Sequence, residues 1–589
     1  MPDNGILYNK ACLLLSFAAR SPNSLFICCS ISFTSISPTT INAWITQNIT
    51  YGTTGASGTI TFNWTPVPGA IHYELARNGT VVMGSYSTTG QEIYGTATGM
   101  TMAMFWLAWW QFEGSVYGYT WQVIAQMSNG PNVYSNRITP PSNYFVAHDP
   151  VKRTERQNTT FVGEPINVIN GNVTISKTDI LIPDIEIPLE LSRTYNSQDL
   201  FAGEFGYGWR SNFDVILIPA PDSPATISVG SVAEEDEQGI YTLYTMNSDG
   251  TYATSAGKYS VLTKNPDGSY LLRRKHGRKL YFDTQGRLIK IEGRNGSAVN
   301  ITRSANGSIS QVTAPSGRTL NFTHDVQGKI IQVSDSAGRI FKYDYDAPGN
   351  LIRVTDPLNN QTTYQYNSFH NLIIETNANN HTLNFEYDVS GRAIHSWQDE
   401  NNNAVTLAYN SPYGFTTVTD SLRHSTQYGY SLSTGTVSLI TDNQWWSNAQ
   451  WFGWDSYSNK TFVTDQNGNT TNFTYDSRGN LLSIKNPLKE ITTFTYEPNF
   501  DFISSITDAQ GNISKYLYDP KGNLIQFTDA LNNSTNNSYD NLGQLIMTTN
   551  PKNFSTTFAY DTYGNLTSTT DALNHTTVFT YDVLGNRTQ

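Results

Sequence analysis

The sequence predicts an all-β protein, with a small β-sandwich first and then one long coiled β-sheet. Two observations carry this. A phrase of the form Tyr-Asp-x-x-Gly-Asn-Leu recurs in register over the second half of the chain, and a fixed period outranks any local signal. The composition agrees: of 589 residues 13% are aromatic and only 14% charged, with 44 Gly and 35 Tyr. That mixture suits pleated strands closed by many turns.

The phrase is read at Tyr345-Asp346 with Gly349, Tyr387-Asp388 with Gly391, and Tyr475-Asp476 with Gly479. It returns at Tyr518-Asp519 with Gly522, Tyr560-Asp561 with Gly564, and Tyr581-Asp582 with Gly585. Marking the Asp, or its replacement, gives registers from Asp283 to Asp582. The spacing is about 21 residues, with longer gaps at 388–410, 431–455 and 497–519. These residues are expected to be structural.

Each unit reads as two short strands and two turns. Phe473 and Tyr475, or Phe558 and Tyr560, stand at i and i+2 and share one strand face. Asp caps its own turn and Gly accepts positive φ, which predicts a type I turn followed by a left-handed residue. A second turn closes the unit, as at Asp465–Asn469 and Asp508–Asn512. The spacing from Leu481 to Ile484 breaks a period of two, which predicts a β-bulge. About 30 strands at about 4.8 Å make a ribbon of roughly 140 Å. Open sheets rarely pass about 10 strands without curling. Closed in a single turn, the ribbon would be about 45 Å across, a hollow wall.

Tyr-Asp-x-x-Gly-Asn-Leu followed by Thr-Asp-x-x-Gly-Asn resembles the Rhs/YD-repeat family. That family holds bacterial Rhs polymorphic toxins, the cage subunits of insecticidal toxin complexes and animal teneurins. The resemblance implies a β-shell that wraps a polypeptide cargo, with the YD repeats spanning residues 283–589.

The N-terminal segments follow in order. Residues 1–45 read as a leader: Lys10 precedes the apolar run 11–17, which suits a signal peptide or a misassigned start. A second run, 25–33, contains Cys28 and Cys29. Neither run reaches the roughly 20 residues of a membrane span. Residues 46–140 alternate through Thr59–Trp64, Ile71–Leu75 and Tyr119–Ala125, with Asn78-Gly79 as a hairpin turn. This stretch resembles a fibronectin type III domain, with Trp64 in the strand-B position and Tyr119 at the tyrosine corner. Trp106, Trp109 and Trp110 make residues 100–112 unusually aromatic, for core and inter-domain contact or as a platform for sugar. Residues 141–160 are a linker. In 161–218, Gly163-Glu164-Pro165, Leu191–Ser197 and Phe205–Trp209 resemble the module that opens the cage in Rhs proteins, which gives Arg193 and Trp209 structural roles. Residues 219–282 read as degenerate hairpins, with Glu234–Glu237 marking an exposed loop.

The net charge of −12 argues against a nucleic-acid partner. The one basic cluster, Arg273–Lys279, is expected on a solvated strand face. All three cysteines lie at or before Cys29, so the repeats have neither disulfide nor thiolate metal site. His324-Asp325 looks like a dyad but occupies the Tyr-Asp register, and His148-Asp149 lies in the linker. No catalytic residue, cofactor or metal site is expected; the Asp of each turn already has a capping role. The array breaks off seven residues after Asp582, which reads as a fragment or an incomplete shell. The expected function is a secreted or cell-surface, non-catalytic scaffold, whose partner is a C-terminal toxin-like cargo or the remaining shell segment. The alternative is a surface binding module for glycan or a cell-surface protein.

Overall fold

The computed structural model describes residues 160–589 with side chains, apart from 164, 200, 220–229, 256, 401, 411–412, 432–433 and 443–447. Before residue 160 it describes only strand backbones between Leu25 and Tyr134. The chain divides into two compact units.

The first unit holds Met1–Pro150 and two short later segments. Its strands form two antiparallel sheets. One runs in the order Leu25–Ser30, Ala43–Tyr51, Ala56–Trp64, Gly99–Leu107, Gly95–Thr96. The other runs Thr80–Gly84, Ala70–Arg77, Trp121–Met127, Val133–Tyr134. The second apolar run of the leader thus contributes a strand. The signal-peptide segment, Trp109, Trp110, Tyr119 and His148-Asp149 lie outside the described residues.

The second unit opens with three antiparallel strands: β1 (Thr174–Ile182), β2 (Leu189–Asn196) and β3 (Trp209–Ser211). Alternate residues of β2 are buried, as period-two patterning requires. A four-stranded sheet between Ile216 and Thr254 follows. Then comes one 31-stranded antiparallel sheet from Val261 to Val578, every strand paired with its sequence neighbours. The continuous sheet therefore starts ahead of Asp283. Among the described residues no helix is long and apolar enough to cross a membrane.

The hairpin chemistry is as the sequence predicts. In the turn at Asp346, Gly349 N donates to Asp346 O at 3.0 Å and Gly349 has φ +96°. Asp346 Oδ1 accepts from Asn350 N at 2.7 Å, and Asn350 Nδ2 donates to Asp346 Oδ2 at 2.8 Å. Both carboxylate oxygens are thereby engaged within the turn. The bulge is present too. Tyr475 pairs with Leu481 while Thr474 pairs with Ser483, so Leu482 is the extra residue. It brings Leu481 and Ile484 to one face.

Two expectations need correction. Glu234 and Glu235 do not mark an exposed loop: they lie in strand Val232–Glu235, and both are buried. Each carboxylate has a guanidinium partner, Arg274 for Glu234 and Arg210 for Glu235, and burying a charge requires such pairing. Nor is Arg273–Lys279 one strand face. It breaks at a turn, with a short 3₁₀ segment at Lys275–Gly277 and His276 at φ +66°.

That turn shows how the sheet winds. His276 meets Phe500, two hairpin tips 21 strands apart in the sheet order. Arg294 meets Gly522, again 21 strands on. An odd offset sets the Tyr-Asp turns of one winding against the opposite turns of the winding before. About 21 strands per turn give a circumference of roughly 100 Å and a width of roughly 32 Å. The ribbon is therefore a narrower overlapping spiral, not a single 45 Å ring.

Candidate functional site

Three built features distinguish this spiral: a lock between repeats, a seam between windings, and a module covering the inner face of the first winding. The lock explains the Tyr of most Tyr-Asp pairs. Its hydroxyl donates to a backbone carbonyl one repeat upstream, beside the bulge. Tyr345 reaches Ile330 O at 2.7 Å, Tyr518 reaches Ile503 O at 2.9 Å, Tyr560 reaches Leu545 O at 2.9 Å, and Tyr581 reaches Leu566 O at 2.8 Å. Where Tyr is replaced, another donor acts. Trp454 Nε1 reaches Val437 O at 2.8 Å, and Arg303 Nε reaches Leu288 O at 3.2 Å. The bulge disrupts the ladder locally, and a buried carbonyl needs a partner. His324 does not lock: its Nε2 lies 3.4 Å from Glu204 Oε2, while Asp325 caps its turn.

The seam explains the Gly. Arg294 Nη1 donates to Gly522 O at 2.7 Å, with its guanidinium 4.7 Å from the Phe502 ring. Asn295 and Asn523 exchange side-chain amide bonds of 3.2 and 2.9 Å. Lys275 Nζ donates to Arg478 O at 3.0 Å, and Arg273 Nη2 to Asn499 O at 2.5 Å. The His276 ring stacks on Phe502 at 5.5 Å. A Cβ at Gly479 would lie 2.3 Å from the Tyr259 hydroxyl, and one at Gly522 2.8 Å from Arg294. Glycines of the second turn type, such as Gly468 and Gly511, have nothing within 4 Å. The long gap at 497–519 supplies Phe500, so the irregular repeat length marks the seam.

The module explains Arg193 and Trp209. Arg193 on β2 is fully buried and holds Asp179 of β1 through two bonds of 2.6 and 2.9 Å. Tyr343 of the large sheet donates to the same carboxylate at 2.8 Å. The guanidinium lies 4.8 Å from Trp209, 5.6 Å from Tyr343 and 5.9 Å from Phe205. Burial works against its charge, but Asp179 more than compensates and holds Arg193 protonated. Burial first, then the Asp179 charge, pushes the Tyr343 hydroxyl well above its usual range. Trp209 Nε1 donates to Tyr366 Oη, which in turn locks Leu351 O. The module also meets the Tyr-Asp turns by backbone: Ala393 N to Gly171 O at 2.9 Å, and Ile330 N to Glu204 O at 2.8 Å. Gly349 packs against Tyr207, with a Cβ position 3.7 Å away.

The remaining nominated residues hold their turns. Asp388 Oδ2 bonds Arg392 Nε at 2.8 Å, where other repeats use Asn; Gly391 has φ +75° and Tyr387 ends its strand. Asp476, Asp519, Asp561 and Asp582 each bind the Asn four residues on, at 2.8–2.9 Å. Tyr475 shares its face with Phe473; Gly564 abuts Ile185, and Gly585 abuts Asn565. Among the described residues, no group of three or more His, Cys, Asp or Glu could hold a metal ion. Sequence reasoning missed the lock and the seam. The fixed 15-residue step from Leu351 to Tyr366, repeated from Leu545 to Tyr560, was the available signal for the lock.

Comparison with known proteins agrees with this architecture. The family model "Teneurin YD-shell" matches residues 272–436 and 438–589, and "Domain of unknown function (DUF6531)" matches 163–234. The tRNA nuclease WapA of Bacillus subtilis strain 168 is 28% identical over 136 residues, which is 23% of this chain and 5% of WapA. The tRNA3(Ser)-specific nuclease WapA of Bacillus spizizenii matches to the same extent. The chain thus spans one-twentieth of these relatives. A TcdB2–TccC3–Cdc42 crystal structure aligns at TM-score 0.40 and 14% identity, over 70% of this chain and 27% of that one. The Photorhabdus luminescens Tc holotoxin pore aligns at TM-score 0.39 and 13% identity, with the same coverage. With its family match covering more than half its length, its Tyr-Asp turns and its single wound sheet, the chain belongs to the teneurin YD-shell family.

Proposed function

We propose that this chain is a non-catalytic scaffold forming part of a β-shell that encloses a toxin-like polypeptide. The observation that supports this is a contrast along one face of the sheet. In the first winding the inward residues, such as Phe341, Tyr343 and Leu351, are buried beneath the module. In the second, the equivalent Thr492, Phe494 and Leu481 are only half-buried. From Thr471 to Thr569 the strand positions on this face carry Phe, Tyr, Leu, Ile, Thr, Ser and Asn and no charge. Such a wall suits an unfolded chain, whose apolar side chains gain by leaving water and whose backbone meets hydroxyls and amides.

The strand orders of the first unit support reading residues 46–140 as a fibronectin type III-like domain, and the DUF6531 match supports a shell-opening module from about residue 161. The nuclease activity in the names of the WapA relatives belongs to proteins of which this chain matches 5%. The test appends an unstructured, protease-sensitive reporter after Gln589 of the full chain. Cleavage at least tenfold slower than for the same reporter on a compact carrier is expected. Equal rates would overturn the enclosure.

A further inference from the structure

The seam is closed in two ways. At Lys275 and Arg294 the two windings bond one another directly. Farther along, a loop of the module stands between them: Pro183-Asp184-Ile185-Glu186-Ile187-Pro188, which joins β1 to β2. One side of the loop grips the first winding. Asp184 accepts from the Ser316 amide at 3.0 Å and from its hydroxyl, and Glu186 accepts from the Asn295 amide at 3.0 Å. The other side meets Tyr-Asp turns of the second winding. A Cβ at Gly564 would lie 3.0 Å from Ile185 Cγ1, and one at Gly585 3.7 Å from Pro183 Cδ. Arg318 of the first winding completes the junction. Its Nη1 donates to Pro183 O at 2.8 Å and its Nη2 to Val583 O at 3.1 Å, with the guanidinium 4.3 Å from the Tyr563 ring. The loop is also strained. Glu186 has φ +60°, and Ile187 N turns back to Ile185 O at 2.6 Å. Strain of this kind persists only where the surroundings over-determine it, and here the two carboxylate grips do so.

We propose that this loop is a clasp: seated, it closes the seam between the two windings, and withdrawn, it lets them part there. The parting breaks no strand pairing. Each strand of the large sheet pairs with its sequence neighbours, and the windings meet through side chains and turn carbonyls. The loop is the tip of the β1–β2 hairpin, whose base is fixed to the inner face of the sheet through Asp179 and Tyr343. A shift of the module therefore moves the clasp, and closure of the seam is tied to the seating of the module. The strain at Glu186 favours withdrawal once the grips on Ser316 and Asn295 are lost. The clasp works in the same way whether or not the wall encloses a cargo.

The test compares amide exchange in the full native chain with that of a variant carrying Asp184→Ala and Glu186→Ala together. Losing both grips is expected to speed exchange in the Tyr-Asp turns at 561–566 and 582–587 at least tenfold. Exchange over 513–528, where Arg294 makes the seam directly, and over β2 is expected to be unchanged. Unchanged turns at 561–566 and 582–587, or an equal rise in all these regions, overturns the clasp. Should the double variant fail to fold, Glu186→Gly serves. Gly takes φ +60° without steric cost, so a loop that only fills space would hold the second winding at least as firmly. A clasp that has lost its hold on Asn295 loosens it, with exchange at 561–566 raised threefold or more. An unchanged or slower rate refutes the clasp.

Discussion

Two glycines 11 residues apart isolate what the seam contributes. Gly511 and Gly522 both sit in the left-handed region, at φ +86° and +82°. An alanine at either carries about 1–2 kcal/mol of backbone strain. Around Gly511 nothing lies within 4 Å. At Gly522 a Cβ would lie 2.8 Å from Arg294 Nη1 and 2.9 and 3.0 Å from the rings of Phe500 and Phe502. The guanidinium can swing aside, but it then forfeits its 2.7 Å bond to Gly522 O. A bond to a charged donor contributes about 1.5–3 kcal/mol. The excess cost of Gly522→Ala over Gly511→Ala is therefore about 2–3 kcal/mol, or roughly 30- to 150-fold in a local opening constant. Hydrogen exchange read by mass spectrometry over residues 513–528 compares the two variants directly. If both accelerate exchange equally, the winding contact contributes nothing and the seam is only proximity.

Two further outcomes follow from the lock and from the buried acids. Tyr560→Phe removes the 2.9 Å bond to Leu545 O and is expected to destabilise its hairpin by about 1 kcal/mol. Exchange in 545–570 should rise roughly fivefold, while Tyr563→Phe, at a turn tip, should be silent. Asp236 is pushed up to about 7, first by burial and then by the Glu237 charge. A carboxyl raised in the folded state favours folding when protonated, so its contribution is full at low pH and fades as pH rises through about 7. The protection of the hairpin of strands Val232–Glu235 and Tyr241–Met246, taken relative to the intrinsic exchange rate at each pH, should therefore be lower at pH 8 than at pH 6. Asp236→Asn, which keeps the acceptor for the Gln238 and Ile240 amides, should flatten that dependence.

The repeating part of the fold was legible because each hairpin is specified locally. Asp, Gly and Asn write the turn, Phe-x-Tyr writes the inward face, and the three-residue step from Leu481 to Ile484 writes the bulge. The winding number was not legible. It depends on which tips meet after about 21 strands, and the evidence for that is spread over His276, Arg294, Phe500 and Phe502. Arg273–Lys279 misled for the same reason: alternation looked like a strand face, whereas the residues turn and grip a distant backbone. Glu234 and Glu235 misled because a run of acids normally faces water, and only the fold supplies Arg210 and Arg274. Arg193 was legible as a structural residue, but not its carboxylate partner 14 positions upstream.

The lock also sets how such a wall yields to force. Most hairpins are fastened to the one before, and the first winding is pinned by Arg193, Trp209 and their partners. Stability in arrays of this kind is a sum of repeats and nearest-neighbour contacts. A pull on the Gln589 end would therefore peel the sheet stepwise, like a zip. Each step would release one repeat, roughly 70 Å of extended chain at about 3.3 Å per residue.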